Sequence, residues 1–109
     1  MNISFTETAR RQIREITMFY AREHRSFGVA FIEALDRSLR LLVENPQLGH
    51  RVGARHRKLS LRRFPYMLIY SVDDENDRIQ LSVVCHQRRR PGYWRSRVEE
   101  RKPSYAIAA

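Results

Sequence analysis

Cysteine is nearly missing from this sequence. Cys85 is the only one in 109 residues. A lone cysteine excludes an internal disulfide and any multi-cysteine metal site, and it points to a reducing intracellular compartment. Long apolar runs are missing too. Stretches such as Met67 to Tyr70 fall far short of the ~20 residues that a spanning helix needs, and the first residues form no signal-peptide core, so the expectation is a cytoplasmic protein with no membrane. There is no His-Glu-x-x-His pattern, and His24, His50 and His56 stand at no recognised metal spacing. No Lys-Ser or Lys-Thr follows Gly49 and Gly53 to complete a phosphate loop. Neither a metal nor a cofactor is expected, and nucleotide hydrolysis is disfavoured.

What the chain has in excess is positive charge. It carries 21 Lys and Arg against 12 Asp and Glu, a formal net charge of +9. Residues 1–50 hold 7 basic and 6 acidic groups, whereas residues 51–109 hold 14 and 6. The second half is therefore expected to meet whatever anionic surface the protein engages. At 42% hydrophobic the chain also has material for one core, and a fold of this size buries roughly 65% of its unfolded surface.

Periodicity divides the chain into a helical part and a strand part. Asn2 to Phe5 reads as a short strand with Ile3 and Phe5 on one face. Thr6 or Thr8 caps a helix from Glu7 to about Glu23, along which Ala9, Ile13, Ile16 and Tyr20 recur at helical spacing. The pattern breaks around His24 to Gly28. A second helix begins at Ser26 or Gly28 and runs to Val43 on the stripe Phe27, Phe31, Ala34, Leu35, Leu39 and Leu42. Asn45-Pro46 stops it, because the residue before proline is pushed out of the helical region, and Gly49 and Gly53 predict an irregular loop.

From Arg57 the period becomes two, with Leu59 and Leu61 opposite Lys58, Ser60 and Arg62. Tyr66 to Val72 is almost continuously apolar and reads as a strand buried on both faces. The acidic stretch Asp73 to Asp77 is a hairpin loop leading to a strand whose inward residues are Ile79, Leu81, Val83 and Cys85. A short helix over Arg95 to Lys102, ended by Pro103, follows, and residues 104–109 read as a frayed tail. The predicted fold class is α+β: an N-terminal strand and a helix hairpin packed on a mostly antiparallel sheet, in the order β-α-α-β-β-β with the short C-terminal helix, as one domain over residues 1–103.

Three local sequences in this order resemble a known family. They are Asn45-Pro46-Gln47-Leu48-Gly49 after the second helix, Phe64-Pro65-Tyr66 leading into Ile69-Tyr70, and Cys85-His86-Gln87-Arg88-Arg89 closing the last core strand. Together they resemble the ParE branch of the RelE/ParE toxin superfamily of bacterial toxin–antitoxin systems over about residues 3 to 94. Members of that branch often have an acidic residue after the paired arginines, where this chain has Arg90. The resemblance implies a toxin that poisons DNA gyrase without chemistry of its own. It also implies a cognate ParD-like antitoxin with an acidic C-terminal segment that neutralises the toxin in a hetero-oligomer. The other branch of the superfamily consists of ribosome-dependent endoribonucleases that cut mRNA, and a fold alone does not choose between the two.

The residues leave three alternatives. Cleavage of RNA needs a group to take the ribose 2′-hydroxyl proton, one to protonate the leaving oxygen, and cations at the phosphate. His86, Arg88 and Tyr93 are the candidates for that metal-independent reading, with His86 and Arg88 on one face if the strand extends past His86. For a binding toxin the catalytic set is empty, and Arg88, Arg89, Arg90, Tyr93 and Trp94 are the candidate target contacts. Arg55, Arg57, Lys58, Arg62 and Arg63 are candidate contacts to the antitoxin or another anion, since planar guanidinium groups pair bidentately with carboxylate or phosphate. The third alternative is an inactive basic binding module.

Overall fold

The computed structural model describes residues 1–88 and the two-residue strand 106–107. The expected helix over Arg95 to Lys102 lies outside the described residues, as do the candidates Arg89, Arg90, Tyr93 and Trp94.

Strand β1 (Asn2–Thr6) leads directly into helix α1 (Glu7–Glu23). Thr6 is the cap, and its side chain accepts the Ala9 amide at 3.0 Å. Such a cap satisfies one of the amides that a helix start leaves without a partner. The break between the helices is a single residue. His24, extended at φ −165°, ends α1 and caps α2 (Arg25–Glu44) by accepting the Ser26 amide on Nδ1 at 3.1 Å. The second helix thus starts one to three residues earlier than its apolar pattern indicates. Gly28 lets the helices approach closely, since a Cβ there would stand 3.1 Å from both the Ala21 Cβ and the Thr17 carbonyl oxygen.

Four further strands, β2 (His50–Val52), β3 (His56–Ser60), β4 (Tyr66–Asp73) and β5 (Arg78–His86), and the short β6 (Ala106–Ile107) build the sheet. Its order is β2-β3-β4-β5-β1-β6. All neighbours are antiparallel except β1 and β5, which run parallel with the helix hairpin and strands β2 to β4 between them in sequence. This is the expected α+β architecture with two additions. His50–Val52, within the expected loop, pairs with Lys58–His56, and Ala106–Ile107, within the expected tail, pairs with Thr6 and Phe5.

The helices cover one face of the sheet. Ala9, Ile16, Phe31, Ala34, Leu35 and Leu42 pack there against Leu61, Leu68, Tyr70, Ile79, Leu81 and Val84. Ile69, Val83 and Cys85 form a separate cluster with Met67 and Val52. This second cluster corrects the expected alternation in β5. The ladder pairs Tyr70 with Leu81 but Ile69 with Val83, so Ser82 is an extra residue with no partner opposite. A one-residue bulge reverses the side to which every later residue points. Val83 and Cys85 therefore leave the face of Ile79 and Leu81, and Val84 replaces them against the helices. Phe27, assigned to the core stripe of α2, is 50% exposed.

Candidate functional site

Two structural features organise the surface that carries the candidate residues, and the first is a clamp on the loop after α2. The Tyr70 hydroxyl accepts the Gly49 amide at 2.8 Å and donates to the Pro46 carbonyl at 2.8 Å. An added Cβ at Gly49 would stand 2.6 Å from the Lys58 carbonyl oxygen and 2.7 Å from the Tyr70 hydroxyl, so no side chain fits. The Arg57 guanidinium closes the clamp, donating to the Gly49 carbonyl at 2.8 Å and the Gln47 carbonyl at 3.2 Å. Burial raises the Tyr70 pKa, against the opposing effects of the Gly49 amide and the Arg57 charge. Arg57 is thus already engaged in holding the loop, whereas Lys58, next to it, is exposed.

The second feature is a cluster of rings where the helix hairpin meets the sheet. Tyr20 lies 5.2 Å from Phe64, 6.1 Å from Phe31 and 6.4 Å from Tyr66 between ring centres, and Tyr66 lies 5.3 Å from His86. Burial, reinforced by the Tyr20 hydroxyl, pushes the Tyr66 pKa up to about 12. Phe64-Pro65-Tyr66 and the end of β5 are therefore one packing unit. Tyr66 is paired with His86 across the ladder, and the Gln87 amide donates to the Pro65 carbonyl at 2.8 Å.

His86 takes part in this unit through both its ring and its backbone. The ring packs edge-on against Tyr66, and Nδ1 accepts the Arg88 amide at 3.0 Å. That bond turns the chain immediately after β5. The strand does not extend past His86, so His86 and Arg88 do not share a strand face as the sequence spacing allowed.

The other described candidates sit in the turns and connections at the ends of β3, β4 and β5. Arg55 is exposed in the turn between β2 and β3, and Arg62 and Arg63 are exposed in the connection to β4. Arg88 is exposed in the turn held to Pro65, which brings it to the same end of the sheet as Arg62 and Arg63. Two candidate groups that are far apart in sequence are thus neighbours in space, through the pairing of β4 with β5. Among the described residues no three His, Cys, Asp or Glu side chains come together as metal ligands. Nor does any described helix have the length and apolarity to cross a membrane.

Periodicity missed a set of exposed apolar side chains on the helix hairpin. Met18 is 60% and Phe19 57% exposed, and Phe27 lies beyond the one-residue joint. Met18 sits opposite Ala9 and Ile16 on the helical wheel. That placement was the available signal.

A family model described as the ParE toxin of type II toxin–antitoxin system, parDE, matches residues 3–91. The chain belongs to this family. The toxin–antitoxin assignment drawn from the three local sequences is thereby shown, and the α+β fold read from periodicity is the one observed. Among solved structures, the fold is similar to that of the chromosomal ParDE system of P. aeruginosa, with a TM-score of 0.67 and 19% identity over 79% of this chain and 95% of that one. It is also similar to the E. coli RelBE toxin–antitoxin complex, with a TM-score of 0.62 and 24% identity over 78% of this chain and 94% of that one. The isolated E. coli RelE toxin gives a TM-score of 0.61 and 23% identity, covering 87% and 93% of the two chains. A search of curated protein sequences finds no match. At these identities the structural similarity speaks for the fold, and both branches of the superfamily share it with this ParE-family toxin.

Proposed function

We propose that this ParE-family toxin acts in the cytoplasm by binding DNA gyrase, without cutting RNA, and that an acidic ParD-like antitoxin holds it inactive in a hetero-oligomer. The observation that carries the non-enzymatic reading is the engagement of His86. Its ring is packed on Tyr66 and its Nδ1 accepts the Arg88 amide. A general base needs a lone pair directed at the proton that it takes. In this reading Arg88 in the turn after β5, together with Arg89, Arg90, Tyr93 and Trp94, supplies the target contact. The antitoxin's carboxylates meet the exposed members of the set Arg55, Lys58, Arg62 and Arg63, while Arg57 keeps its place in the loop clamp.

Gyrase supercoiling and ribosome-bound mRNA integrity, assayed side by side with the purified toxin, test the reading. The expected result is inhibited supercoiling with gyrase trapped on cleaved DNA, and intact mRNA. Site-specific mRNA cleavage that disappears in His86→Ala would replace this reading with that of a RelE-like ribonuclease. No effect in either assay, from a toxin that still binds its antitoxin, would leave a basic binding module.

A further inference from the structure

From Asn45 to Val72 the chain contains no Asp or Glu, while it carries Arg51, Arg55, Arg57, Lys58, Arg62 and Arg63. This acid-free segment is the loop after α2, the β2–β3 ribbon at the edge of the sheet, the turn into β4, and β4 as far as Val72. Within the ribbon, Arg51 is paired with Arg57 and His50 with Lys58. Basic groups directly opposite one another on neighbouring strands weaken a sheet. Among the described residues Arg51, Arg55, Lys58, Arg62, Arg63 and Arg88 make no ion pair, and the two that form are Met1–Asp77 and Arg40–Asp36. Arg63 has φ 71°. That left-handed conformation is strained for a residue with a side chain and is the natural place for glycine. An arginine kept at a glycine position, beside basic pairs facing each other across an edge ribbon, indicates that the charge serves something outside the chain.

The geometry gives that charge a length. Arg55 lies at one end of β3 and Arg62 and Arg63 at the other. The five residues of β3, at about 3.3 Å each, separate them by roughly 17 Å. Arg88 extends the same end through the bond from Gln87 to Pro65. We propose that the β2–β3 ribbon, the turn into β4 and the turn after β5 form a cationic track for the phosphate backbone of duplex DNA. Phosphates recur every ~3.4 Å along each strand of a duplex, so a track of this length faces several at once. The aromatic rings beside the track, Phe64 and Tyr66, pack against Tyr20 and are only partly exposed. Among the described residues the track therefore offers cations without the open stacking platform that single strands use. The ribbon has cations on both faces, with Arg51 on the side of Arg57 and Lys58 on the other, and a two-stranded ribbon is one of the elements that the major groove admits. The inference stands apart from the gyrase reading, because DNA binding is measured with no gyrase present.

The test is fluorescence anisotropy of a labelled mixed-sequence DNA duplex with the purified toxin, across roughly 50 to 200 mM salt. Binding is expected to weaken steeply with salt. The variant Arg62→Ala/Arg63→Gly/Arg88→Ala should lower the slope of log K against log salt by about 0.9 for each phosphate that is no longer neutralised. A control with the same charge, Arg14→Ala/Arg22→Ala/Arg37→Ala, removes exposed arginines of the helices and should change the slope by less. The single variant Arg63→Gly should melt no lower than the wild type and still bind DNA more weakly, which separates charge from folding. Equal slopes for the two triple variants would reduce the binding to net charge and overturn the track. Tighter binding of the single strand would overturn the duplex, and competition by poly-glutamate at equal charge as strong as by DNA would replace it with an acidic protein.

Discussion

The Thr6 hydroxyl donates a 2.6 Å hydrogen bond to the Ser82 carbonyl while it accepts the Ala9 amide. Ser82 is the bulged residue of β5, and β1 has stopped pairing with β5 one residue earlier, at Phe5 and Leu81. Beyond that point this edge of β5 needs hydrogen-bond partners from elsewhere, and α1 provides them. Thr6 takes the Ser82 carbonyl, and the Gln12 side-chain carbonyl accepts the Val84 amide at 2.8 Å. A helix thus completes a ladder that a strand would normally complete, and one threonine joins helix start, bulge and sheet.

Replacing Thr6 by Val removes the cap and leaves the buried Ser82 carbonyl without its partner. The two effects together should lower stability by about 2–4 kcal/mol. Thr6→Ser, which keeps the hydroxyl, should lose less than half of that. Urea denaturation of the three proteins decides the matter, and a Val variant within ~0.5 kcal/mol of wild type would show that the bond to Ser82 contributes nothing.

The clamp after α2 makes a second prediction. Tyr70→Phe removes the partner of the buried Gly49 amide and should cost about 1–3 kcal/mol. Gly49→Ala drives a methyl group into the same hydroxyl and the Lys58 carbonyl. Because both act on one contact, the double variant should be less destabilised than the sum of the singles by ~0.5 kcal/mol or more. Strict additivity in a denaturation cycle would show that loop and tyrosine are independent.

Much of this architecture was legible in the sequence because it rests on repeating patterns. The spacing of Ala9, Ile13, Ile16 and Tyr20 placed α1 correctly to its ends, and the acidic stretch after Val72 marked the β4–β5 hairpin. Three features depend on contacts between distant segments. The bulge at Ser82 follows from where β1 stops, and no alternation in Ile79 to Cys85 announces it. Strand β2 exists through pairing with β3, since His-Arg-Val has little strand character of its own. Arg57 is chemically indistinguishable in sequence from Arg55 or Arg62, yet it is the one whose guanidinium is held by the carbonyls of Gln47 and Gly49. The candidate surface was thus legible as a composition, and its division into scaffold and exposed charge was not.

Alkaline pH should destabilise the protein through the tyrosines of the core. Burial and then Tyr20 push Tyr66 up to about 12, whereas a tyrosine in the unfolded chain ionises near 10. Between those values the folded state binds the extra proton, so stability is fully present below pH ~10 and falls as pH rises towards ~12. Tyr70, raised by burial, acts in the same direction. Tyr66→Phe should flatten the decline of melting temperature across this window. An unchanged decline would assign it to other groups.

The antitoxin reading predicts a particular division between association and dissociation. The exposed cations at Arg55, Lys58, Arg62 and Arg63 should draw in an acidic segment, and complementary charge raises the association rate by about tenfold or more at low salt. At ~0.5 M salt the Debye length is only about 4 Å, so this attraction is screened beyond contact. The apolar side chains left open on the helix hairpin, Met18, Phe19 and Phe27, are available as anchors that salt does not weaken. Stopped-flow measurements should therefore show association slowing about tenfold or more between low salt and ~0.5 M, with dissociation changing much less. An association rate insensitive to salt would remove the arginines from the encounter. A dissociation rate that rises as steeply as association falls would instead place the closest contacts on the charges, leaving the open apolar side chains outside the complex.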